Sequence, residues 1–240
     1  MSCLLKTSYC IAEEQELIRE IGVDEAGRGP MFGRVYAAAV ILPKDRTSFN
    51  HGWMKDSKKF HSEKKIREVA AYIKEKAIAW SVAYSSETVI DQVNIRNATH
   101  QAMHEAIRGT ITRLAIKEEE GNFRPDNILL LVDGNDFTPF IQTETKSRVQ
   151  HVCIEGGDNA YSCIAAASIL AKVARDDYIA ELCVKEPSLI EHYDLLKNKG
   201  YGTKKHMDGI KTHGITPYHR KTFGICKTVL LVKVPQNPYW

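Results

Sequence analysis

Apolar and polar positions along this 240-residue chain follow two different periods. Short, nearly continuous apolar runs read as strands: Glu20–Val23, Val35–Leu42 stopped by Pro43, Ala77–Tyr84 with partial alternation, Ile128–Val132 and Val149–Ile154. Charged stretches with an apolar stripe lie between them. Ser62–Lys76 carries Ile66, Val69 and Ile73 on one face. From Ile95 to Lys117, Ile95, Ala98, Ala102, Met103, Ala106, Ile107, Ile111 and Leu114 recur at helical spacing, with Asn94 as the cap. Gly156-Gly157-Asp158 opens a long helix from about Tyr161 to Val184. Its Ala165, Ala166, Ala167, Ser168 and Ala171 let it approach a sheet or second helix closely, and packing alone accounts for them.

The connections between the first three strands suit consecutive antiparallel pairing. Ile128–Val132, between Pro125-Asp126-Asn127 and Asp133-Gly134, reads as a buried strand. Strands first and then helix, strand, strand and helix predict an α/β domain with a mixed sheet. That domain is expected over residues 1–186, with a basic, mostly helical extension over 187–240 packed on it.

Composition narrows the class. With 43% hydrophobic and 26% charged residues, the chain suits one globular domain with a small appendage. No run approaches the roughly 18 apolar residues of a membrane helix. The start, Met-Ser-Cys-Leu-Leu-Lys-Thr followed by Glu13, Glu14 and Glu16, reads as neither a secretory signal nor a transit peptide. Six cysteines without regular spacing are expected as free thiols of a reducing, cytoplasmic setting. Net charge is only +3, but Ile190–Lys227 holds eight Lys or Arg (197, 199, 204, 205, 211, 220, 221, 227) against three acids, a local +5. A solvated surface and a phosphate-facing patch both fit that excess.

The chemistry is concentrated in residues 21–30, Ile-Gly-Val-Asp-Glu-Ala-Gly-Arg-Gly-Pro. Two adjacent carboxylates, Asp24 and Glu25, end an apolar approach, and like charges side by side repel unless a cation relieves them. The glycines just beyond admit a ligand that a Cβ would exclude. Asp133 ends a second buried strand. If it runs parallel beside the first, a spacing of about 4.8 Å brings these acids to one sheet rim. Asp158 is a fourth acid able to turn towards that rim. Taken singly, Asp133-Gly134 also reads as a turn and Asp158 as a helix cap. Taken together, all-oxygen ligands favour Mg²⁺ or Mn²⁺, and a pair of such ions supports phosphoryl hydrolysis.

Several ordered motifs carry a resemblance. They are Asp24-Glu25-Ala26-Gly27-Arg28-Gly29-Pro30, Asp56-Ser57-Lys58-Lys59, Val132-Asp133-Gly134, Gly157-Asp158 followed by 165–176, Gly200-Tyr201-Gly202-Thr203, and His219-Arg220 with Phe223-Gly224. Over about Ile21 to Gly224 the chain closely resembles type 2 ribonuclease H, ribonuclease HII. The resemblance implies a ribonuclease H-like mixed five-stranded sheet flanked by helices, with a helical C-terminal extension. It implies a metal-dependent endoribonuclease that cleaves the RNA strand of RNA–DNA hybrids. It also implies incision 5′ of single ribonucleotides in duplex DNA, leaving 5′-phosphate and 3′-hydroxyl ends. By position, Asp24, Glu25, Asp133 and Asp158 match the carboxylates that hold two divalent ions. Gly27, Arg28 and Gly29 match the loop that reads the ribose 2′-hydroxyl, Tyr201 the ring that packs on the next sugar, and Ser57 and Lys58 the phosphate contacts. Basic residues over 197–221 would hold the duplex backbone without reading bases.

The expected enzyme is a monomer, with no membrane partner. Met31-Phe32 and Arg34 depart from the family pattern and are expected to add bulk and charge near the site. Phe60 and Gly156 depart where leucine and lysine are usual. The rival readings are a hybrid-binding scaffold without catalysis and a DNA resolvase or exonuclease with the same acidic rim.

Overall fold

The five strands and the helices expected over 62–76 and about 161–184 form close to where the pattern assigns them. The computed structural model describes residues 5–10, 18–117, 127–143 and 146–229. The order is β1 (Arg19–Ala26), β2 (Val35–Ile41), α1 (Glu63–Lys76), β3 (Ala79–Ser85), α2 (Glu87–Lys117), β4 (Ile128–Asp133) and β5 (Gln150–Ile154). Helices α3 (Ser162–Lys185), α4 (Ser188–Tyr193), α5 (Leu195–Asn198) and α6 (Lys204–His213) follow. The turn expected at Pro125-Asp126, the acids Glu13, Glu14 and Glu16, and the aromatic end 234–240 lie outside the described residues.

The five strands form one mixed sheet in the order β3-β2-β1-β4-β5. β1 pairs antiparallel with β2 and parallel with β4, which is itself parallel to β5. The two-residue period then sorts side chains between the sheet faces. Ala38, Val40, Leu129 and Leu131 pack with α1 residues Ile66, Val69 and Ile73 and with α3 residues Ile164 to Val173. Ile21, Val23, Ala37, Ala39, Leu130 and Val132 pack on the other side with α2 residues Ala102, Met103, Ala106, Ile107 and Leu114.

One close approach fixes how α3 lies on β1. An ideal Cβ on Gly22 would stand 2.2 Å from the Cys163 carbonyl carbon, so only glycine admits the helix backbone there. Helix α1 starts where the sequence puts it, because the Ser62 hydroxyl accepts the Lys65 N–H at 3.3 Å. Helix α2 begins at Glu87, earlier than the expected start at Ile95. Asn94 has φ 69° and ψ 165°, so it breaks the helix, and its side chain caps the second half by accepting the Asn97 N–H at 3.1 Å. The turns 87–93 before that break have too few apolar positions to establish a period.

Contacts gather the chain into two units. The first comprises residues 1–26, 36–84 and 99–174, and the second 27–35, 85–98 and 175–240. Residues 186 and 187, between α3 and α4, both belong to the second unit. Among the described residues no helix is long and apolar enough to cross a membrane, and Cys10, Cys153, Cys163, Cys183 and Cys226 are unpaired.

Candidate active site

The acids of the first unit stand at the C-terminal ends of β1 and β4. Val23 sits opposite Val132 in the parallel register, so the next residues, Asp24 and Asp133, arrive side by side. Both follow even steps from positions on the α3 face, Gly22 and Leu131. Asp24 is only 5% exposed. It accepts the Glu25 N–H at 2.7 Å and shares a side-chain hydrogen bond with Ser168 of α3. Burial, then the charges of Glu25 and Asp133, hold its carboxyl well above the usual carboxylate range.

Asp133 Oδ1 accepts the Gly157 N–H at 2.7 Å, which ties the end of β4 to the turn that carries Asp158. Gly156, at φ 65°, makes that turn possible. Asp158 is buried. Its pKa is raised by burial and by Asp56 and Asp133, while Lys58 and a 2.8 Å hydrogen bond from the Asn159 amide act the other way.

Asp24, Glu25, Asp133 and Asp158 are therefore linked by mutual charge effects. Among the described residues, however, no three His, Cys, Asp or Glu close into a ready-made coordination shell. The donor set still fits one kind of ion. Neighbouring carboxylate charges that raise the pKa of Asp24 and of Asp158 call for a cation, and an open, all-oxygen set suits an ion that keeps water ligands.

Asp56 Oδ1 accepts the Lys58 N–H at 2.8 Å and starts the single turn Ser57–Lys59. Lys58 faces Asp158 electrostatically, and the Lys59 ammonium donates to Asn159. Ser57 is placed otherwise than a phosphate contact would require of its side chain. Its hydroxyl is buried and pairs with the Ser168 hydroxyl at 3.0 Å. Ser168 thus joins Asp24 to Ser57, a role that sequence reasoning misses when it counts the residue among small packing side chains. The available signal is one hydroxyl inside an alanine run on the helix that Gly22 admits.

In the second unit the glycine-bracketed loop lies against an aromatic platform. Gly27 has φ 97°, and a Cβ there would meet the Arg175 side chain at 2.3 Å. A Cβ on Gly29 would stand 3.5 Å from the Tyr201 ring, which is 52% exposed. The Met31 N–H donates to the Gly200 carbonyl at 3.0 Å and fastens the two segments together. Behind Tyr201 is a chain of buried imidazoles. The Thr216 N–H donates to His219 Nδ1 at 3.0 Å, so His219 carries its proton on Nε2 and gives it to His206 Nε2 at 3.1 Å. His206 then donates from Nδ1 to the Tyr201 carbonyl at 2.9 Å.

Two expectations for this unit are corrected. Arg220, counted in the basic patch, is wholly buried, because its guanidinium takes backbone carbonyls. Met31 and Phe32 add no bulk at the loop surface. Both are buried, with Phe32 edge-on to His219 at 4.9 Å between centroids, and Arg34 lies over the Tyr178 ring at 4.3 Å.

The family model for ribonuclease HII matches residues 21–226. A ribonuclease HII of Parabacteroides distasonis is 47% identical over 204 residues, covering 85% of this chain and 89% of the relative. Ribonuclease H2 of Pyrococcus horikoshii superposes with a TM-score of 0.60 at 22% identity, covering 88% of this chain and 96% of that one. Bst-RNase HIII in complex with Mn²⁺ gives 0.53 at 16% identity, over 81% of this chain and 70% of that one. The mixed five-stranded sheet with helices on its faces, together with these matches, defines a ribonuclease H-like nuclease. The chain belongs to the ribonuclease HII family. It is an endoribonuclease H, a hydrolase that cleaves the RNA strand of RNA–DNA hybrids.

Proposed function

We propose that this enzyme also incises 5′ of single ribonucleotides embedded in duplex DNA, leaving 5′-phosphate and 3′-hydroxyl ends, with Asp24, Glu25, Asp133 and Asp158 holding two Mg²⁺ or Mn²⁺ ions. The observation that carries this reading is the charge coupling of Asp24 to Asp133, at adjoining strand ends, and of Asp133 to Asp158. The Mn²⁺ bound by the ribonuclease HIII neighbour adds support for the ion class. When bound, the ions would supply Lewis acidity to in-line attack on a phosphodiester, one activating a water and the other stabilising the leaving oxygen.

The remaining steps belong to the chain's own groups. Asp24, held by Ser168 and the Glu25 N–H, keeps its oxygens oriented without needing to reorganise. Lys58, already placed to offset the Asp158 charge, is the cation available to a phosphate beside that acid. Along the chain a single residue, Ala26, separates Glu25 from the Gly27-Arg28-Gly29 loop. A 2′-hydroxyl is both donor and acceptor, and rigid backbone groups can test for it. The exposed Tyr201 ring beside Gly29 offers a flat surface for the following deoxyribose, where an added hydroxyl would intrude. The same reading takes the enzyme as a monomer in the cytoplasm, with residues 187–240 as an extension of a catalytic domain over 1–186.

The test uses a labelled DNA duplex with one ribonucleotide, an RNA–DNA hybrid and an all-DNA duplex, each with Mg²⁺, Mn²⁺ or chelator. Metal-dependent cutting of the first two alone is expected. Chelator-resistant cutting, or cutting of the all-DNA duplex, overturns the reading. Tyr201→Ala should impair single-ribonucleotide incision more than hybrid cleavage, and equal losses on both reject the ring's assigned part.

A further inference from the structure

Backbone can read a hydroxyl only if something fixes the backbone. Arg220 is 0% exposed, and each of its guanidinium nitrogens donates to one stretch of chain. Nε reaches the Gly33 carbonyl at 2.8 Å, Nη1 those of Arg28 at 3.0 Å and Pro30 at 2.7 Å, and Nη2 that of Gly27 at 2.6 Å. The Arg220 N–H adds the Met31 carbonyl at 2.8 Å. Arg175 takes the next carbonyl, Phe32, at 3.1 Å, and from the same nitrogen the Lys199 carbonyl at 2.8 Å. The carbonyls of 27, 28, 30, 31, 32 and 33 are thus all held by these two arginines.

Such an arrangement is hard to explain as packing. A guanidinium out of water is disfavoured, and its neighbour Arg175 repels it, while the Glu87 and Asp91 charges only partly offset this. A large apolar side chain would fill the same space without that penalty, but it would not orient carbonyls. The planar fork of five donors does what no other side chain can, fixing several backbone acceptors at once in set directions. The exposed residues of the loop are Arg28 and Gly29, the latter against Tyr201.

We infer that Arg220 is a specificity-determining positioning residue: from beneath the loop, it holds residues 27–33 in the shape that distinguishes a ribose from a deoxyribose. The inference rests on the reading of that loop as the 2′-hydroxyl site. Arg220 touches no substrate, and it acts through the backbone of Gly27 and Arg28. Arg175 extends the same hold to the Gly200-Tyr201 turn, which makes loop and ring one rigid surface.

The test compares full-length wild type, Arg220→Lys and Arg220→Gly. For each, the folding transition, the Kd for an all-DNA duplex and kcat/KM on single-ribonucleotide duplex with Mn²⁺ are measured, the last with and without added guanidinium. A lysine keeps the charge but meets one or two carbonyls in place of four. Arg220→Lys is expected to fold and to bind all-DNA duplex within twofold of wild type. Its kcat/KM on the ribonucleotide substrate should fall about 10- to 100-fold, the scale of a small misplacement of a positioning group. Free guanidinium should restore part of the Arg220→Gly loss. Cutting by Arg220→Lys within twofold of wild type overturns the inference alone. So does an equal loss of all-DNA binding, or a lysine variant that does not fold, since either makes the residue a general support. A wild-type enzyme that leaves the single-ribonucleotide duplex whole takes down the reading of the loop and this inference with it.

Discussion

Asp24→Asn removes one charge from the acid group and leaves its shape. The asparagine oxygen still accepts the Glu25 N–H, so the local hydrogen bonding survives. Asp24 is buried, and burial, Glu25 and Asp133 hold its carboxyl above the ordinary value. A carboxyl whose folded pKa exceeds its unfolded one binds more protons when folded. Stability therefore falls as pH rises from about 3.9 through the folded pKa, and the full penalty persists above it. For size, unit charges at the strand spacing of about 4.8 Å in an effective dielectric of about 20 repel by roughly 3.5 kcal/mol.

Water at the rim and partial protonation reduce this, so the metal-free variant should be about 1–3 kcal/mol more stable than wild type at neutral pH. Urea denaturation in chelator measures it, and repeating the experiment at acid pH should shrink the gap. Added Mn²⁺ should then stabilise wild type by mass action and the variant much less, while hybrid cleavage by the variant is nearly lost. A variant no more stable than wild type in chelator refutes the repulsion. Undiminished stabilisation by Mn²⁺, or near-full turnover, refutes the metal role.

Gly22→Ala drives a Cβ to 2.2 Å from the Cys163 carbonyl carbon and 2.4 Å from its oxygen, both backbone, so neither can step aside cheaply. It should cost about 3 kcal/mol or more in denaturant titration, and a loss under about 1 kcal/mol would show that α3 shifts freely on β1. His219 is pushed down to about 3 by burial and then by His206. Its unfolded state binds the extra proton between that value and about 6.5, so stability is fully present above about 6.5 and is lost as pH falls through the interval. The loss should approach about 1.4 kcal/mol per pH unit from this group. His219→Gln should flatten the urea-midpoint profile between pH 6.5 and 5, and parallel profiles would reject a neutral buried imidazole.

What the sequence makes legible depends on whether a residue's task shows in a pattern. Ile66, Val69 and Ile73 repeat at helical spacing, so α1 is plain from the periodicity alone, and Ser62 marks its start. Asp24 and Glu25 are conspicuous because adjacent acids at the end of an apolar run conflict with burial, and conflict is visible locally. Asp133 needs the β1–β4 register to become their neighbour, and the sequence shows it only as the acid that ends a second buried run. Ser168 and Arg220 are misread for one shared reason: each is classed by side-chain type, small or cationic, and type says nothing of burial. Among eight cations in 38 residues, Arg220 looks like a phosphate contact. Its true surroundings are carbonyls contributed by a segment nearly 190 residues earlier, Gly27 to Gly33. A cation that turns inward onto backbone is invisible to charge counting, because the acceptors it satisfies belong to every residue alike. The residues that the proposal assigns to metal and substrate are thus the legible ones, and those that hold them in place emerge only when the chain is folded.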